Sequence, residues 1–101
     1  GNFHIIPLMD YHRPDFKQII QELSERVYDL VGEYEGSITG EHNDGLIRTP
    51  FLDRMFSQEM LVVFESVKDI FDPHGIFNPH KKVHGDMHLL FSAIKKEVKD
   101  T

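Results

Sequence analysis

Glu41 and His42 stand side by side in the glycine-flanked stretch GEHNDG, residues 40–45. A carboxylate and an imidazole are a common metal-ligand pairing, and a histidine is the usual proton acceptor near neutral pH. Glycines on both sides let such a loop take unusual dihedrals and approach a ligand closely. A plain surface loop with two polar residues would carry the same sequence. His4 lies in an apolar run between Phe3 and Ile5, where a histidine is either an exposed side chain or a ligand. A catalytic zinc-type site takes three protein ligands, and the sequence offers only two that read as placed together. Asn78 and Pro79, within DPHGIFNPHKK, read as a polar turn after a helix. Lys81 and Lys82 beside them read as solvated. Of the remaining histidines, only His80, His84 and His88 have helical ligand spacing, and Gly85 and a cap at Asp86 break that helix. No dinucleotide G-x-G-x-x-G, phosphate-binding G-x-x-x-x-G-K-[ST] or nucleophile G-x-S-x-G motif is present.

These residues need elements to position them. NFHIIPLMD (residues 2–10) is apolar and β-branched and is expected to be a strand, with Pro7 pointing to an edge or a bulge. RPDFKQIIQELSERVYDLVGEY (residues 13–34) is the clearest helix. Pro14 suits its first turn, and Asp15 puts negative charge at the positive end of the dipole. Phe16, Ile19, Ile20, Leu23, Val27, Leu30 and Val31 make one apolar stripe, ended by Gly32 or Gly36. The loop GSITGEHNDG follows, with a short strand expected around Ser37–Thr39. Thr49 and Pro50 open the next helical stretch. Ser57 caps a helix carrying Met60, Leu61, Phe64, Val67, Ile70 and Phe71. DPHG (residues 72–75) is a turn with Pro73 at its second position and Gly75 at its fourth. Asp86 is expected to cap a last helix with Met87, Leu90, Phe91, Ile94 and Val98 inward, and Lys95, Lys96 and Lys99 near its negative end. Two strands at most do not make a stable sheet, so upstream strands or a partner chain are expected.

At 101 residues the chain is sized for one domain, with 40% hydrophobic and 28% charged residues as in ordinary globular proteins. The net charge of −6 argues against a nucleic-acid binder, whose footprint would be a basic patch. No apolar run approaches the roughly 20 residues of a membrane span, and the opening GNFHIIPLMD lacks the basic and apolar regions of a signal peptide. The absence of cysteine excludes disulfides, thiolate catalysis and cysteine-ligated metal sites within the chain. It fits a cytoplasmic protein, with peripheral membrane attachment of a parent enzyme as a second option.

Taken in order, GSITGEHNDG, LIRTPFLDRMF, the helix after Ser57, and FDPHGIFNPHKK resemble the C-terminal domain of FAD-linked oxidases. This is the D-lactate dehydrogenase, glycolate oxidase subunit and D-2-hydroxyglutarate dehydrogenase group of the vanillyl-alcohol oxidase superfamily. The opening GNFHIIPLMD resembles the end of that family's H-x-G-x-G-N-x-H strand motif. The resemblance covers about residues 1–82.

The resemblance implies several things. His4 and Glu41 would hold a divalent ion (zinc, manganese or iron) with a further histidine upstream. His42 would be the base that takes the substrate's hydroxyl proton while hydride passes to FAD, and Asn78 would pack beside the flavin. The substrate would be a small 2-hydroxy acid. FAD would be bound mainly by an upstream FAD-binding domain, so these residues alone would be inactive and prone to self-association. The fold expected is α+β, a fragment of a ferredoxin-like cap (strand–helix–strand) followed by a C-terminal helical segment. Residues 1–49 would be the C-terminal half of the cap, or substrate, domain. Residues 50–101 would be a helical segment packing on the FAD domain. The family's glycine after the histidine is Asn43 here, a departure that bears on the loop. Two other classes remain open at this point: a stand-alone acidic helical interaction module, and a small His/Glu metal-binding protein without catalysis.

Overall fold

A computed structural model describes residues 3–94. Within them the chain forms α1 (Phe16–Glu33), α2 (Gly45–Arg48), a 3-10 turn (Thr49–Arg54), α3 (Gln58–Phe71) and α4 (Met87–Ala93). No strand occurs among the described residues, so the architecture is all-helical and the expected strand–helix–strand unit is absent. Strand geometry needs a neighbouring strand to exchange N–H and C=O groups with. Residues 3–10 have none, and their apolar side chains stand in solvent, Leu8 at 99% exposure. Around Ser37–Thr39 the polar groups are used locally instead. The Ser37 hydroxyl donates to the Thr39 carbonyl oxygen at 2.6 Å, and the Thr39 N–H lies 3.3 Å from the Ser37 hydroxyl.

The helices follow the apolar spacing. Phe16 is buried, and Ile19, Ile20, Val27 and Val31 of the same stripe are half-buried. Gly32 falls inside α1, and the helix closes beyond it as the Gly36 N–H donates to the Val31 carbonyl at 2.8 Å. Ser57 caps α3 by accepting from the Met60 N–H at 3.2 Å, and Asp86 caps α4 by accepting from the Leu89 N–H at 3.1 Å. Such side-chain caps satisfy donors that the first turn leaves orphaned. The expected turn after α3 closes as the Gly75 N–H donates to the Asp72 carbonyl at 3.1 Å. Val98 and the lysines at 95, 96 and 99 lie outside the described residues.

The core centres on the 3-10 turn. Phe51 and Leu52 are buried between α1 and the tail. The Tyr28 ring meets Phe51 edge-on at 4.9 Å, and the Arg54 guanidinium lies over the same ring at 5.2 Å. Arg54 also pairs with Asp29 of α1 at 2.9 Å, fixing the turn against the helix. Val83 and Leu90 bring the tail into this core. Lys17 of α1 donates to the Phe91 carbonyl of α4, which joins the two ends of the described chain. α3 differs from this pattern. It has no buried residue, and Ile70 and Phe71 at its end are 74% and 83% exposed.

Gly85 packs backbone against backbone on the 3-10 turn. A Cβ there would lie 2.7 Å from the Pro50 nitrogen and 2.8 Å from the Thr49 carbonyl carbon. Backbone atoms cannot rotate away, so Gly85→Ala must push the tail off the turn. Overpacking of this kind costs about 1–3 kcal/mol. Urea denaturation of Gly85→Ala should show a midpoint shifted by that amount with an unchanged slope. Wild-type stability would mean that the tail does not dock on the turn.

Candidate functional site

The loop after α1 brings Glu41 and His42 to the extended segment that carries His4. His4 Nε2 and His42 Nε2 lie 3.8 Å and 3.4 Å from the same oxygen, Glu41 Oε1. The two imidazoles meet edge to face with centroids 5.5 Å apart. One ligand atom from each of the three residues can be chosen so that all lie within 4.8 Å of one another. All three side chains are exposed, at 52%, 68% and 61% for His4, Glu41 and His42. His4 and His42 border a cavity of ≈ 590 Å³ between residues 3–7, one face of α1, and residues 37–40 of the loop.

Backbone geometry aims this loop. Asn43 follows His42 with φ +58, a left-handed conformation that asparagine tolerates better than most residues other than glycine. Its carbonyl accepts from the Thr39 hydroxyl at 2.6 Å and from Arg48 at 3.2 Å, and its side-chain oxygen accepts from the Asp44 N–H at 2.9 Å. Asp44 is 1% exposed. Its Oδ2 pairs with Lys82 Nζ at 2.8 Å, while Oδ1 is buried without a partner.

Asn78 sits apart from this group, exposed in the turn after α3 with φ +47. Asp72 shapes that turn. Its carboxylate accepts from Lys68 Nζ at 2.6 Å and from the N–H groups of Ile76 and Phe77 at 3.0 and 2.9 Å. His80, His84 and His88 do not share a helix. His80 Nδ1 is 2.9 Å from the His84 carbonyl, and His88 belongs to α4. Sequence reasoning took Lys82 as solvated, and the structure places it against a buried carboxylate. Nothing in the spacing of residues 44 and 82 signals that pair.

Residues 1–82 match the family of FAD linked oxidases, C-terminal domain. The chain belongs to that family. It is 39% identical over 84 residues to a mitochondrial protein of Schizosaccharomyces pombe named for D-lactate dehydrogenase. It is 34% identical over 83 residues to the Escherichia coli glycolate oxidase subunit GlcD, and 32% over 81 residues to the Escherichia coli D-2-hydroxyglutarate dehydrogenase. These matches cover 80–82% of this chain but only 15%, 17% and 8% of those relatives in turn. No solved structure matches. The family is named for FAD. The described residues carry none of the phosphate-cradling glycine motifs. For a divalent ion the donors fit in type and spacing. The His4 imidazole and the Glu41 carboxylate suit zinc, manganese or iron, and they leave coordination positions open for further donors.

The Lys68 ammonium, hydrogen-bonded to Asp72, holds its carboxyl down to about 2 from 3.8, with the Ile76 and Phe77 N–H groups adding to the effect and desolvation opposing it. A carboxyl with a lowered folded pKa stabilises the fold fully above its unfolded value and loses that contribution as pH falls through the folded one. The stabilisation from Asp72 is therefore present above about pH 4 and fades between about pH 4 and 2. Asp72→Asn should be less stable than wild type at pH 7, and the gap should close across that window. Urea midpoints measured from pH 7 to 2 test this; a gap constant with pH would remove the ion pair from the turn's support.

Proposed function

We propose that this chain is the C-terminal part of a larger FAD-dependent enzyme that oxidises a small 2-hydroxy acid of the D-lactate, glycolate or 2-hydroxyglutarate kind. The observation that carries the reading is the convergence of His4, Glu41 and His42 in a chain of this family. When bound, FAD supplies the two-electron acceptor, and a divalent ion supplies a Lewis acid for the substrate's carboxylate and hydroxyl. His4 and Glu41 are the residues that would hold the ion, together with a donor from upstream. His42 takes the hydroxyl proton on an imidazole nitrogen as the hydrogen on C2 leaves with its electron pair toward the flavin. The Glu41 carboxylate, 3.4 Å from His42 Nε2, stands where positive charge develops as the imidazole is protonated. Asn78 would pack beside the flavin, just after the exposed Ile76 and Phe77.

In this reading residues 1–49 complete a substrate-covering domain and residues 50–101 pack on an upstream FAD domain. The uncovered apolar surfaces support that placement. Phe3, Ile6 and Leu8 on one side, and Ile70 and Phe71 on another, are exposed well beyond what a solvent-facing segment needs. The same surfaces would drive self-association of the chain on its own.

The test separates base from ligand in the full-length protein. His42→Ala should slow flavin reduction at saturating 2-hydroxy acid by about 10²–10⁴-fold, the contribution of a positioned base, with FAD content unchanged. Glu41→Ala should instead lower the metal content, and added zinc or manganese should restore part of the rate. Anaerobic stopped-flow and metal analysis read both. Flavin reduction by His42→Ala within a few-fold of wild type would remove the base assignment.

A further inference from the structure

We propose that Lys82 is a positioning residue for His42, acting through an ion pair with the buried Asp44 carboxylate that fixes the exit of the Glu41–His42 loop. This rests on the reading of His42 as the base. The other ties on the Asn43 carbonyl are local. Thr39 and Arg48, which hold the Asn43 carbonyl, are near neighbours in sequence. Lys82 comes from the far side of α3. Its Nζ is 2.8 Å from Asp44 Oδ2 and 3.4 Å from the Asn43 side-chain oxygen, and it lies 5.3 Å above the Phe64 ring. Its backbone N–H donates to the Thr49 hydroxyl at 2.7 Å, and that hydroxyl donates to the Gly45 carbonyl. One lysine thus grips both residues that follow His42 and, through Thr49, the glycine after them.

The chemistry explains why this contact controls the loop. A carboxylate removed from water must be paired, and Asp44 is 1% exposed with one oxygen already unpartnered. Without the ammonium, the loop has to turn Asp44 out to solvent. Asn43 and His42, directly before it, must then move. Lys82 itself has φ +71, a conformation L-residues other than asparagine and aspartate rarely adopt. The tail accepts that dihedral while delivering both its ammonium and its N–H to this one corner. Lys82 makes no hydrogen bond or ion pair with His4, Glu41 or His42, so its effect on the reaction runs through the loop.

The experiment compares full-length, FAD-loaded wild type with Lys82→Met, Lys82→Arg and His42→Ala. Hydrogen–deuterium exchange of the amides at 39–45 is followed by mass spectrometry, and flavin reduction is followed with D-lactate, glycolate and D-2-hydroxyglutarate. Lys82→Met should speed exchange at 39–45 about tenfold or more and leave α1 within about twofold of wild type. Its flavin reduction at saturating substrate should fall about 10–100-fold, the scale expected when a reacting group is displaced by about an ångström. Half-saturation should change little and flavin content should hold. Lys82→Arg should recover most of both effects. Unchanged exchange at 39–45 in Lys82→Met overturns the proposal. So does near-wild-type flavin reduction in a variant whose loop has loosened, or a fall in rate that merely tracks lost flavin. Exchange needs no substrate, so the clamp is decided on its own. His42→Ala decides the base reading separately: if that variant reduces flavin normally, the base reading fails while the exchange result still stands.

Discussion

A carboxylate held away from water needs a cation, and in this chain that requirement joins the glutamate–histidine loop to the tail beyond α3. Asp44 sits at the exit of the glutamate–histidine loop and is almost fully buried. Lys82, from the tail beyond α3, is the cation that reaches it. The route of the chain follows from the demand. The Asp72 turn redirects the backbone after α3, left-handed residues at 78, 80, 82 and 84 coil it back, and Gly85 lets it press on the Thr49–Pro50 backbone. With Asp44 buried and Lys82 nearly half exposed, the pair contributes little net stability, because desolvation of the carboxylate offsets much of the attraction. Removing one member is costly, and that asymmetry is what ties the loop to the tail.

The family pattern has a glycine where Asn43 stands, and the structure shows how the departure is absorbed. The position has φ +58, which glycine takes freely and asparagine takes with modest strain. The side chain then makes contacts that glycine could not. Its oxygen accepts from the Asp44 N–H and faces Lys82 Nζ. The larger residue therefore keeps the loop's direction and adds to the same corner that the ion pair holds.

Much of the helical content could be read from sequence because its signals are local. Ser57 and Asp86 cap helices with side chains that reach only three residues ahead, and the stripe through Phe16 and Val27 needs only the helical repeat. The strands failed for the opposite reason. The pattern of NFHIIPLMD reports a preference for extended backbone, and a preference becomes a strand only beside a partner. The candidate site was legible in part. The types of Glu41 and His42 and their glycine-flanked loop were visible, whereas their approach to His4 depends on how the loop folds back on residues 3–7. The Asp44–Lys82 pair was not visible, because a salt bridge across α3 leaves no spacing rule behind.

The exposure of the three site residues bears on what can act there. Charge–charge and charge–dipole terms are worth far more in a water-excluded site than in bulk solvent. With roughly half or more of each side chain in water, His4, Glu41 and His42 have the right types and distances but a screened environment. The surfaces next to them show what would change it. Phe3, Ile5 and Ile6 flank His4, and the α1 residues Leu23, Val27 and Val31 form the opposite wall of the same cavity. An apolar surface laid across that cavity would bury its walls and expel water from the glutamate–histidine cluster in one step. The hydrophobic effect would drive the association, and the electrostatics of the site would strengthen as a result. In the proposed enzyme, then, docking and catalytic competence are not separate events: the same apolar contact that completes the fold makes the cluster reactive.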